Sequence, residues 1–236
     1  MIIRRQQDAL IFIEQADHAR MAADILSDWQ ADGFPSNPRR EAILLAALEH
    51  DNGWREEDAS THVDGTGDPL DFISVPAAVK HRIWPRAATR LADTDPYAGA
   101  LVAEHALSLH GQQRADPAWR AFLDRMERLK QEILARCETS AADTLGPDYV
   151  FVRTVDQLSL IFCNAWTAPF PRPGGRTILK GTTLELTPDP FEGRTIDLKV
   201  RARRLPVRTF ASPAVLRQAL DAAADEYLEG AAIGAH

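Results

Sequence analysis

The stretch Tyr149 to Trp166, YVFVRTVDQLSLIFCNAW, constrains the fold more than any other. It is apolar around most of a helical circumference. A helix of that kind is stable only at the centre of a body of other elements. Its single carboxylate, Asp156, is one turn from both Val152 and Leu160. A buried, unpaired carboxylate is costly unless it meets a metal, a cation or several donors. Asp156 therefore needs a partner from elsewhere in the chain.

A second stretch, Leu44 to Trp54 (LLAALEHDNGW), offers one. The apolar run reads as a buried helix that carries His50 and Asp51 on its last turn. Gly53 is expected to supply the left-handed cap at which the helix stops. Adjacent helical residues point about 100° apart, so one ion can take both ligands only by lying between those directions.

Further histidines fall on other helical segments. Asp8 to Trp29 reads as a first long helix with His18 in its middle. Pro76 to Leu91 reads as a helix interrupted by Pro85, with His81 on its first part. Asp95 and Pro96 open a helix stopped by Gly111, and Leu101 and Val102 turn His105 toward its apolar face. Pro117 to Cys137 is amphipathic. Between Arg55 and Pro76 lies a long segment without periodicity, which reads either as a substrate loop or lid or as a merely irregular connection.

After Thr167 the texture changes. A linker rich in Pro and Gly leads into TILKGTTLELTP and RTIDLKVRARRLPVRTF, which alternate like β-strands. Ser212 and Pro213 then cap a closing helix that reaches to about Leu228. The expected fold is mostly α, a helical bundle over residues 1–168, with residues 169–236 forming a small C-terminal β element and closing helix packed on it.

Composition narrows the function classes. A net charge of −7 leaves no electrostatic footprint for nucleic acid or an anionic membrane. No run approaches the roughly 18 uninterrupted apolar residues of a membrane helix, and the first residues carry Glu14 and Asp17 within an apolar run, unlike a signal peptide. The two cysteines, Cys137 and Cys163, form no CxxC pair and read as buried thiols in a reducing compartment. A cytoplasmic protein is expected.

The candidate site is therefore His18, His50, Asp51, His81, His105 and Asp156. Imidazole nitrogen and carboxylate oxygen together bind first-row transition ions, and a carboxylate can bridge two of them. Lys80, Arg82 and Arg153 are candidates for holding a substrate phosphate. Gln15 and Glu49 are candidates for orienting ligands, and Trp54 and Trp84 for walling a pocket. His110 is expected at the surface of a helix end, and His62 and His236 are expected to be incidental.

The order His18, His50-Asp51, Asp156, each on a helix, resembles the HD-domain superfamily of metal-dependent phosphohydrolases. The segment VRTVDQLSL around Asp156 is similar to that family's last ligand helix, and the resemblance covers roughly residues 8 to 166. It implies that His18, His50, Asp51 and Asp156 hold a first ion. His81 and His105 resemble the extra histidines of two-metal branches, with Asp51 bridging both ions.

The function this implies is hydrolysis of a small phosphorylated, nucleotide-like substrate, assisted by one or two divalent transition ions (Fe, Mn, Zn or Ni), with Asp51 carrying the catalytic bridge. An HD-type di-iron oxygenase is the alternative, since four histidines and two aspartates match its ligand count. A third reading is a non-catalytic metal-binding or scaffold module. The partner expected is a small molecule, with no nucleic acid and no membrane; self-association into a homo-oligomer is left open.

Overall fold

A computed structural model describes residues 1–235; His236 lies outside them. Seven strands form one sheet in the order β1-β2-β6-β7-β5-β4-β3. They are β1 (Ile2–Arg5), β2 (Ala9–Ile13), β3 (Phe170–Arg172), β4 (Gly175–Lys180), β5 (Thr183–Thr187), β6 (Thr195–Pro206) and β7 (Asp225–Gly234). The β5–β7 pair is parallel and the other pairings are antiparallel. The helices are α1 (Gln15–Ser27), α2 (Arg40–Glu49), α3 (Arg55–Ser60), α4 (Ala77–Ala92), α5 (Pro96–His110), α6 (Pro117–Leu134), α7 (Ala141–Asn164) and α8 (Pro213–Ala222).

The sheet corrects the expectation of a mostly helical bundle with a small C-terminal β element. The fold is mixed, because the first strands join the last ones. Residues 9–13, expected inside the first helix, are β2, and they pair with β6 in the register Ile11↔Arg204 and Phe12↔Arg203. All five residues of β2 are buried. Ala9, Ile11 and Ile13 face the main core beneath α1 and α7, whereas Leu10 and Phe12 face a second core closed by Leu216 and Leu220 of α8. A strand buried on both faces loses the apolar–polar alternation that marks a half-exposed one. Full burial of an Ile or Phe side chain is worth about 1.5–3 kcal/mol, so two-sided packing outweighs whatever helical tendency the run has.

The expected closing helix is also corrected. It begins as read, with Ser212 Oγ accepting from the Val215 N–H. It ends at Ala222, and the chain returns as β7 between β5 and β6, with Val200 opposite Leu228. The segment after Arg55 is partly ordered as α3, and Pro85 does not break α4. Among the described residues no helix is long and apolar enough to cross a membrane.

α7 is the central helix expected from its sequence. It packs against α1, α2 and α5, and thirteen of its residues are buried, among them Val152, Val155, Leu158 and Ile161. It stops at Ala165, held in the left-handed region (φ 54°), with the Trp166 N–H returning to the Ile161 carbonyl at 3.0 Å.

Candidate metal centre

The His-Asp pair is held at the end of α2 by contacts from α4. After Glu49 the chain passes through His50 and Asp51 into a single tight turn, Asn52–Trp54. Arg90 donates to the Asn52 carbonyl (3.0 Å), Asn52 Nδ2 donates to the Ala87 carbonyl (3.3 Å), and Arg86 donates to the Gly53 carbonyl. Gly53 is not the left-handed cap expected from the sequence, since it does not have a positive φ. It is glycine because a Cβ there would overlap the Ile83 carbonyl of α4. This close approach turns Asp51 and His50 inward, where both are buried.

Three further helices supply the rest. His18 comes from α1, His105 from α5, and Asp156 with Ser159 from α7. Two overlapping groups form, His18–His50–Asp51 and His50–His105–Asp156, each with its ligand atoms within 4.8 Å of one another. His18 Nε2 is 2.8 Å from Asp51 Oδ2, and His50 Nε2 is 3.6 Å from that same oxygen and 3.3 Å from Asp156 Oδ1. His105 Nε2 is 3.8 Å from Asp156 Oδ2. Donor atoms about 2.0–2.2 Å from one first-row ion fall about 3–4 Å from each other, so the 3.3–3.8 Å spacings suit a shared cation, while the 2.8 Å between His18 and Asp51 is a hydrogen-bond distance.

The tautomers agree. Ser159 Oγ donates its proton to the Asp156 carbonyl (2.8 Å), so it accepts from the His18 Nδ1–H at 2.7 Å. His50 Nδ1–H donates to the Ala47 carbonyl at 2.7 Å. In the neutral imidazoles both Nε2 lone pairs then face carboxylates, and His50 Nε2 is buried without a hydrogen-bond partner. Lone pair against carboxylate is repulsive unless a proton or a metal ion lies between them.

Electrostatics carry the same mark. Burial opposes a charge on His50, yet the carboxylates of Asp51 and Asp156 raise its pKa to about 9. Burial alone would raise Asp156, but the nearby His50 imidazole, with the charges of His105 and His18, brings it down to about 2. Asp51 is likewise lowered by His50 and His18 against its burial. His105 is pushed down to about 4 by burial, and its Nδ1 shares a hydrogen bond with the Tyr149 hydroxyl (3.1 Å).

The other expected site residues lie elsewhere. His81 is not brought to the cluster: its ring stacks on Phe122 (4.7 Å between centroids, 11° between planes) and meets Trp119 edge-on at 4.5 Å. Arg82 is a bidentate partner of Glu57 (2.8 and 2.6 Å), and Arg153 is exposed on α7. Lys80 does reach the cleft beside the cluster and donates to the Ile73 carbonyl at 2.8 Å. Gln15, Trp54 and Trp84 also line that cleft, while Glu49 turns away to Arg55. His62 pairs with Glu57 (3.0 Å).

Sequence reading missed Ser159, Tyr149 and His110 as participants. Ser159 could have been found by its spacing, three residues after Asp156 on the same apolar helix. His110 is buried rather than at the surface, and its Nε2 accepts from the Trp84 indole N–H at 3.1 Å. No sequence signal marks that pairing.

A family model described as "Protein of unknown function (DUF3891)" matches residues 1–207. The chain belongs to that family. No curated protein and no solved structure matches it. The matched span runs from β1 through β6 and contains all five clustered His and Asp residues, whereas α8 and β7 follow it.

Proposed function

We propose that this DUF3891 chain is a metal-dependent hydrolase that cleaves a phosphoester of a small molecule at a centre held by His18, His50, Asp51 and Asp156, with His105 beside them. The observation that carries the reading is His50 Nε2, buried without a hydrogen-bond partner while facing two carboxylates. With the imidazoles neutral, as metal ligation requires, the two carboxylates would leave two negative charges in a buried site, which a divalent transition ion such as Fe, Mn, Zn or Ni would balance.

The donor set favours one ion over two. Both groups share His50, and His50 has one free lone pair, because its Nδ1–H is committed to Ala47. His81, needed for a fourth histidine, is stacked between aromatic rings, so the ligand count on which the di-iron oxygenase reading stood is not assembled.

A bound ion would supply Lewis-acid polarisation of a phosphoryl oxygen and would acidify a water. The chain's own residues do the remainder. Ser159 and Ala47 fix the imidazole tautomers, Asp51 faces His18 and stands at the cleft, and Lys80 offers a cation to the substrate's charged oxygens.

The test is hydrolysis of 4-nitrophenyl phosphate by the purified protein after chelation and after restoring each of the four metals. Activity that disappears on chelation, returns with one metal and is lost in Asp51→Ala supports the reading. Full activity in the chelated protein contradicts it.

A further inference from the structure

The cleft beside the cluster is about 230 Å³, smaller than the roughly 300–1,000 Å³ of drug-sized sites. Asp51, His105 and Asp156 stand at its polar part. The remaining wall is largely apolar: Trp54, Phe72, Ile73, Trp84, Leu109 and Leu160. Ile73 and Leu109 are themselves 56% and 47% exposed at this lining, so apolar surface continues out to solvent.

Positive charge is scarce there. Among the described lining residues Lys80 is the one Lys or Arg. Its ammonium spends one N–H on the Ile73 carbonyl and keeps two. The nearby arginines are committed elsewhere, Arg82 and Arg86 to Glu57 and Arg90 to Glu56. His110 also lines the cleft: its Nε2 accepts a hydrogen bond from the Trp84 indole N–H, which leaves the neutral ring's own proton on Nδ1, buried without a partner.

A nucleotide fits this cleft poorly. Its ribose hydroxyls and base edges would lose water against tryptophan and leucine, and beyond the His/Asp cluster and Lys80 the polar side chains among the described lining residues are Gln15, His110 and Gln113, too few to replace that water. A polyphosphate would bring several charges to one lysine. An apolar body, by contrast, gains free energy in proportion to the area it buries against that wall.

Resting on the hydrolase reading, we infer that the substrate is a small phosphate monoester of an apolar alcohol, its phosphoryl group between the His/Asp cluster and Lys80 and its alkyl or aryl body against Trp54, Trp84 and Leu109. Hydrolysis adds water across the P–O bond. The water oxygen stays on phosphorus, the P–O bond to the alcohol breaks, and the departing oxygen takes a proton, giving inorganic phosphate and the free alcohol.

The test is titration calorimetry with non-hydrolysable probes on metal-loaded and on chelated protein, with metal content measured in both. Benzylphosphonate is expected to bind at least tenfold more tightly than methylphosphonate and than adenosine 5′-monophosphate. Lys80→Met should weaken both phosphonates at least tenfold, and Lys80→Arg should restore part of that loss. Leu109→Ser should weaken benzylphosphonate and leave methylphosphonate unchanged. Methylphosphonate or the nucleotide binding as tightly as benzylphosphonate overturns the inference, even in protein that holds its metal. Absence of metal after reconstitution overturns the metal-dependent reading instead, and the order of probe affinities on that protein still decides for or against the apolar body.

Discussion

Ser159 accepts a hydrogen bond from His18 at 2.7 Å and so directs the opposite nitrogen of that ring to Asp51, 2.8 Å away. Its own proton is used on the Asp156 carbonyl one turn back. The serine thus sets the tautomer of a proposed ligand without being one itself. Partners of this kind typically contribute 10–100-fold to metal affinity. Ser159→Ala is expected to keep the fold and weaken metal binding by about tenfold or more, read by competition with a chromophoric chelator. Unchanged affinity would mean that the tautomer of His18 does not matter.

His81 gives the complementary expectation. Its ring is stacked on Phe122, and its Nε2 is buried without a partner. His81→Phe keeps the planar shape and removes an unsatisfied polar atom, so stability should change by less than about 1.5 kcal/mol. Metal per chain should be unchanged. A loss of metal in this variant would return His81 to the ligand set.

Gly53 tests how the His-Asp pair is aimed. A methyl group at this position would overlap the Ile83 carbonyl, which belongs to α4 backbone and cannot swing aside like a side chain. Gly53→Ala is expected to destabilise by about 1–3 kcal/mol, in the range of overpacked cores, and to reduce metal affinity together with stability. Equilibrium urea unfolding of the chelated protein measures the first effect. A neutral outcome would show that the turn can relax away from α4.

Glu57 links α3 to α4 through Arg82 and Arg86, and also receives His62. Burial works against its charge, but the hydrogen bonds and charge of Arg82, with Arg86 and His62, lower its pKa from 4.5 to about 2. A carboxylate with a depressed native pKa contributes stability that is fully present above its unfolded value. That contribution is lost as pH falls from about 4.5 toward 2. Glu57→Gln should cost about 1–2 kcal/mol at neutral pH, reduced because Arg82 is half exposed. The gap between wild type and variant should shrink through that acid window when both are studied without metal. A gap independent of pH would contradict the assignment.

Much of the site was legible because its residues break the pattern of their own helices. Asp156 is the one carboxylate in the apolar stretch Tyr149 to Trp166, and His50-Asp51 ends an apolar run. Burial of such groups demands a partner, and the structure brings His50 to 3.3 Å from Asp156. His81 misled because spacing along α4 cannot say whether an imidazole meets an ion or an aromatic ring; Trp119 and Phe122, which decide it, come from α6. The sheet was hidden for a different reason. β2 pairs with its neighbour β1 on one edge, but its other partner is β6, almost two hundred residues later, and the covering of both its faces erased the period that would have marked it as a strand. At the other end, the turn from α8 into β7 at Ala223 carries neither Gly nor Pro, so the helix could be read on to Leu228.

The most direct test of the metal centre is elemental analysis of the purified, reconstituted protein beside His50→Ala, with both checked for folding by circular dichroism. About one transition ion per folded chain, lost in the variant, is the expected result. No ion in either protein, or the same content in both, would contradict a centre built on His50.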